Sequence, residues 1–250
     1  MSKLLYLLQK KILLRPKTIP KNYVFSFDVP FEEINIPFNE KYILNFIKFF
    51  PDQLQSKGIV LYFHGNRDNV IRYAKHVRNF TQHNYEVWIN DYPGYGKSTG
   101  EFTEENVYQQ AVIMYNMALK RAGQENIIIY GKSLGSGIAS WLAAGNACHH
   151  LILETPYFSM TDLFYVHAPG FLAKRFIHFK FPNYQNIKKV MSPVTIFHGS
   201  HDKVIPYHTS AKLNDYLKRG DEFITLEKAS HNNVNEYPQY HEKLNDILSK

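Results

Sequence analysis

The chain has 250 residues, 44% of them hydrophobic and 20% charged; this composition excludes a disordered or low-complexity protein and suits one α/β domain with a full core. A formal net charge of +7 fits a basic solvated surface, an anionic substrate or a membrane surface, while no basic run interleaved with aromatics points to nucleic acid. The single cysteine, Cys148, excludes an internal disulfide and a multi-cysteine zinc site, reads as a small buried apolar residue, and is compatible with a reducing, cytoplasmic compartment.

Residues 1–21 carry no acidic side chain, and their apolar runs are interrupted by Lys10 and Lys11. That is too soon for a membrane span of about 20 residues, and no small-residue cleavage site marks a secretory signal. Two readings stand: a terminal helix packed on the domain, or a basic amphipathic helix resting on a membrane surface. Tyr23–Ile36 and Tyr42–Phe49 read as early strands with a turn at Pro37–Glu40, and Gly58–Phe63 as a firmer strand running into His64-Gly65-Asn66. Spacing predicts a helix over Val70–Phe80, a strand at Tyr85–Ile89 and a long helix over Glu104–Ala122 ended by Gly123. Further strands are expected at Leu151–Leu153, Val194–Phe197 and Phe223–Leu226, with helices at Thr209–Leu217 and from about Tyr237. Strands alternating with helices imply a mostly parallel sheet covered on both faces, with ligands at the carboxyl ends of the strands.

The most informative stretch is Asn126–Gly137. An apolar β-branched run leads into Gly131-Lys132-Ser133-Leu134-Gly135, and helix-forming residues follow. Strand, glycine-bounded serine and helix is the setting in which G-x-S-x-G forms a nucleophile elbow. The P-loop reading of Gly-Lys-Ser fails, because position 126 is Asn where that motif needs Gly. A second match, Gly96–Gly100, follows the turn-rich Asp91–Tyr95, so Ser98 is read as a loop residue.

A serine hydroxyl needs a base, and the base an orienting carboxylate. On an elbow fold these follow in the order Ser, acid, His. Asp202 lies just past the Val194–Phe197 strand and His231 just past the Phe223–Leu226 strand, which makes them the acid and the base. Glu154 also follows a strand and is the alternative acid. His198, His201 and His241 are unassigned, and no cofactor or metal is called for. The N–H groups of Asn66 and Leu134 are the expected oxyanion donors.

Leu-Tyr-Phe-His-Gly-Asn66, Asp-Tyr-Pro-Gly-Tyr-Gly-Lys-Ser98, Gly-Lys-Ser-Leu-Gly-Ser-Gly137, His-Gly-Ser-His-Asp202 and Ser-His-Asn232 together resemble the α/β-hydrolase superfamily, and more narrowly its small abhydrolase-domain and palmitoyl-protein-thioesterase-like serine hydrolases. The resemblance runs from about Gly58 to the C-terminus. It implies an α/β-hydrolase fold and an ester or thioester hydrolase with Ser133, Asp202 and His231 as triad. Two departures stand out: Arg67 where relatives often have Ala, and no membrane-spanning N-terminus of the kind many carry. Residues 157–189 would then be a short cap; its Tyr157, Phe158 and Phe164, and Arg67 close to the oxyanion loop, are candidates for contacting an acyl or anionic substrate. The cap aromatics serve equally well as anchors to the body of the domain. An oligopeptide-cleaving peptidase and a non-catalytic binding protein are the competing functions.

Overall fold

The computed structural model describes residues 10, 13–38, 42–167 and 177–249. Residues 1–9 of the basic N-terminal segment, and Phe171, Lys174, Arg175 and Phe176 of the expected cap, lie outside the described residues. Eight strands make one sheet: β1 (Phe31–Phe38), β2 (Tyr42–Phe49), β3 (Gly58–Phe63), β4 (Tyr85–Asn90), β5 (Ile127–Lys132), β6 (His150–Glu154), β7 (Val194–Gly199) and β8 (Glu222–Leu226). Their order is β8-β7-β6-β5-β3-β4-β2-β1, parallel from β8 to β4 and antiparallel at the β4–β2 and β2–β1 pairs.

The central strands are buried along their whole length, which is why GIVLYF, IIIYGK and VTIFHG read as continuous rather than alternating apolar runs. Alternate residues still go to different faces. Ile59, Leu61, Ile127 and Ile129 pack with Val107, Ala111 and Met114 of α3 (Glu104–Ala122) and Ile138 and Leu142 of α4 (Leu134–Gly145). Val60, Tyr62, Ile128 and Tyr130 pack with α1 (Val70–Ala74), α2 (Arg78–Thr81) and the C-terminal helix α8 (Pro238–Leu248). Thr103 caps α3 by accepting from Asn106 N at 3.1 Å, and Gly123 ends it at φ 77°.

Several predicted boundaries move. Tyr23–Pro30 is not a strand; its Phe25 and Phe27 rings stack 5.6 Å apart, and Phe27 meets Phe49 edge-on at 5.0 Å. Pro37 lies inside β1 rather than in a turn, which an edge strand tolerates because one side of its backbone needs no ladder partner. The expected helix over Val70–Phe80 divides into α1 and α2. The one expected at Thr209 starts at Tyr207 after Pro206, and continues from Ala211 to Tyr216 as a 3-10 turn. Between β6 and β7 lie α5 (Met160–His167) and α6 (Asn183–Ile187), and α7 (Tyr207–Ser210) follows β7.

The crossing from β5 into α4 is the tightest packing in the sheet's centre. A Cβ on Gly135 would sit 2.0 Å from the Phe63 carbonyl oxygen, and one on Gly131 would sit 2.5 Å from Ala139 Cβ. Backbone cannot yield as a flexible side chain can. Gly135→Ala is therefore expected to cost about 2 kcal/mol or more, seen as a lower urea midpoint at unchanged slope.

Candidate active site

Ser133 occupies the turn between β5 and α4 at φ 51° and ψ −115°, a region that non-glycine residues rarely enter. Its N–H donates to the Glu154 carbonyl at 2.9 Å, pinning the turn to the end of the neighbouring β6. The strained turn lifts the hydroxyl off the strand end, where His231 Nε2 stands 3.0 Å from Ser133 Oγ. His231 Nδ1 is 2.7 Å from Asp202 Oδ2. The three side chains come from the ends of β5, β7 and β8 and meet as hydroxyl, imidazole and carboxylate. With Nδ1–H held by the carboxylate, Nε2 is the free lone pair and can take the serine proton.

Asp202 is fixed from its other oxygen, which accepts from the N–H groups of Val204 and Ile205 at 2.8 Å each. Burial pushes its pKa up, but hydrogen bonding to His231, the His231 charge and the Ile205 N–H outweigh that, and the net shift is downward. His198, left unassigned from the sequence, is buried beside it with Nε2 2.9 Å from the Ile205 carbonyl; burial lowers its pKa.

Leu134 is the first residue of α4, so its N–H has no preceding turn to bond. Asn66 follows β3 in a tied-down loop: its Oδ1 accepts from Arg15 N–H at 3.1 Å, and Tyr95 OH lies 3.0 Å from its carbonyl. Tyr92 OH donates to the His64 carbonyl at 2.7 Å. Ser133, Leu134, Asn66 and His231 all line one cavity of about 510 Å³. Arg67, Tyr157 and Phe164 line it too. Phe158 does not: it stacks on Tyr184 at 4.5 Å and meets Tyr216 edge-on, so it anchors the β6–β7 segment to the body.

Glu154, the alternative acid, is committed elsewhere. Its carboxylate is 1% exposed and bonds Lys132 Nζ and Tyr130 OH, and Tyr130 OH in turn lies 3.1 Å from Tyr240 OH. Burial would raise its pKa, yet the Lys132 charge and the two hydrogen bonds bring it below the usual carboxylate range. Ser98 is a buried loop residue whose Oγ accepts from Asn45 N–H at 2.9 Å. Cys148 is only half-buried, and desolvation still pushes its thiol up to about 11. Among the described residues no cluster of three or more His, Cys, Asp or Glu is arranged to hold a metal, and no helix is long and apolar enough to cross a membrane.

Sequence reasoning missed Arg15, Arg72, Lys75, His76 and Lys132, all of which line the cavity. The spacing Arg67, Arg72, Lys75, His76, following directly on His64-Gly65-Asn66, was the available signal for most of them.

Residues 55–188, more than half the chain, match the family model described as serine aminopeptidase, S33. The chain belongs to the α/β-hydrolase superfamily. Among its relatives in that superfamily, human α/β-hydrolase domain-containing protein 17B is 33% identical over 198 residues, covering 78% of this chain and 67% of its own length. The 17C protein of Xenopus tropicalis is 32% identical over 197 residues, covering 78% of this chain; the match spans only 62% of that relative's length. Among solved structures, an α/β hydrolase from Vibrio vulnificus superposes with a TM-score of 0.76 at 20% identity, covering 99% of this chain and 94% of its own. An esterase of Pyrococcus furiosus gives 0.68 at 14% identity, covering 95% and 97%. These structural likenesses establish the α/β-hydrolase fold.

Two stability predictions follow from the buried polar groups of this hydrolase. Lys132→Met leaves the Glu154 carboxylate buried without its counter-charge and is expected to cost roughly 3–5 kcal/mol in urea unfolding. Burial holds His76 down to about 4, below the free value near 6.5. Between those values the unfolded chain binds a proton that the folded chain refuses, so stability falls as pH drops from 6.5 to 4. His76→Gln should remove roughly 3 kcal/mol of that loss, read from unfolding midpoints across the interval.

Proposed function

We propose that the protein is a serine hydrolase of carboxylic esters or thioesters, in which Ser133 is the nucleophile, His231 the base and Asp202 the orienting acid. The observation that carries this reading is the Ser133–His231–Asp202 chain at 3.0 and 2.7 Å, set on a strained elbow at the floor of a cavity. Ser133 Oγ adds to the substrate carbonyl carbon as His231 Nε2 takes its proton. The oxyanion that forms is held by the N–H groups of Asn66 and Leu134, a contribution worth roughly 3 kcal/mol per donor. Collapse breaks the ester or thioester bond, and the leaving alcohol or thiol departs with the proton from His231. Water, deprotonated by the same imidazole, then adds to the acyl-serine; Ser133 leaves with that proton and the free acid is released. No cofactor takes part.

Residues 157–189 act in this reading as a cap, with Tyr157 and Phe164 on the acyl side. The basic 1–21 segment and the single cysteine fit a cytoplasmic, membrane-peripheral location. An aminopeptidase reading has the description of the matched family in its favour. It requires an anionic group to hold the substrate's ammonium, and among the described residues no Asp or Glu lines the cavity. The ester reading is therefore preferred.

Wild-type protein should be labelled by a fluorophosphonate probe, and Ser133→Ala should not be. His231→Ala should abolish turnover of p-nitrophenyl esters without changing the melting temperature, and Asp202→Asn should lower kcat by roughly 10³–10⁴. An unlabelled wild type would point to a binding protein, and a fully active His231→Ala would show that another base operates.

A further inference from the structure

The walls of the cavity differ in chemistry, and sheet order explains how. β3 and β6 pair with opposite sides of β5, so the segments leaving them flank Ser133 from opposite sides. From the β3 side come Arg67, Arg72, Lys75 and His76; from the β6 side come Tyr157, Met160, Leu163 and Phe164. Arg15, whose backbone pairs in register with Arg67, adds a cation to the first wall. His167 also lines the second wall, its Nε2 2.8 Å from the Val204 carbonyl oxygen, and His76 is neutral near pH 7, so the first wall is cationic through its Arg and Lys side chains and the second is mainly apolar.

The basic wall has charge to spare. Lys132 is neutralised by Glu154, and Arg72 lies 3.3 Å from Asp68, a carboxylate that also draws Lys17 at 4.0 Å. Among the described residues no carboxylate lies within 4.0 Å of the Arg15, Arg67 or Lys75 charges. Cations without a counter-charge, beside a cavity with no acidic lining residue among those described, make a seat for an anion. Tetrahedral phosphate matches them best, because two cations can share its double negative charge while the guanidinium forks onto its oxygens.

We propose that the substrate joins a medium-length acyl chain to a phosphorylated alcohol or thiol, with Arg67 and Lys75 holding the phosphate and Met160, Leu163 and Phe164 lining the acyl side. This rests on the hydrolase reading above. The acyl group passes to Ser133 as the carbonyl carbon's bond to the leaving oxygen or sulfur breaks. The phosphorylated product leaves with the proton from His231, and water releases the acid.

The test compares kcat/KM for 1-octanoylglycerol 3-phosphate with that for 1-octanoylglycerol, both kept below their micellar concentrations. The wild type should favour the phosphorylated ester by about tenfold or more. Arg67→Gln with Lys75→Gln should bring the ratio toward one while fluorophosphonate labelling and melting temperature show the variant intact. Salt at about 0.5 M should shrink the wild-type ratio. Equal rates on the two esters, or a ratio unmoved in the double variant, would overturn the proposal and leave the hydrolase standing. A preference seen only with anionic vesicles present would assign the cations to a lipid surface and overturn it as well. Failure to hydrolyse either ester, without labelling at Ser133, would remove both readings together.

Discussion

Everything at the site depends on how closely β5 is crossed by the helix that follows it. Ser133 holds φ 51°, and the backbone around Gly131 and Gly135 leaves no room for a Cβ against Phe63 and Ala139. The strain of such a residue, of order 1–3 kcal/mol, is borne by a turn locked on two sides. One lock is the Ser133 N–H on the Glu154 carbonyl, and the other is the burial of Ile138 and Leu142 of α4 in the core that holds Ile129 of β5. The hydroxyl is thus presented by a rigid element and needs no rearrangement to reach the imidazole.

Beneath that turn lies a second commitment. Lys132 and Glu154 are 5% and 1% exposed, an ion pair removed from solvent and completed by Tyr130 and Tyr240. Buried pairs of this kind contribute little net stability but fix geometry when every oxygen is satisfied. Here the pair sits at the ends of adjacent strands β5 and β6, and it occupies the carboxylate that the sequence offered as the alternative acid. Asp202 keeps its ionised form through His231 and two backbone N–H groups, so the two acids are separated by their partners rather than by their burial.

The loop after β3 that carries Asn66 is likewise held from outside itself. Arg15, Tyr92 and Tyr95 reach His64 and Asn66 from the N-terminal segment and from the loop after β4. These aromatic and backbone contacts explain why Asp91–Tyr95, although far from Ser133 in the chain, belongs to the same structural unit. They also set Arg67 at the cavity, where it begins the basic wall.

Read alone, the sequence determined the elements whose signal is local or lies in chain order. These were the apolar runs of the central strands, the strand–serine–helix elbow, the acid and histidine just past later strands, and the capped span of α3. Each depends on period, propensity or glycine at a position with no room for Cβ, all of which a linear reading can see. Tertiary structure alone decided that Pro37 extends an edge strand, that Asp202 rather than Glu154 meets His231, and that Phe158 anchors while Tyr157 and Phe164 line the cavity. It also gathered Arg15, Arg67 and Lys75 on one side of Ser133. The physical reason is the same in each case: these outcomes are set by which strand ends lie side by side in the sheet, and residues as far apart as Arg15 and Lys75 become neighbours only when that order is complete.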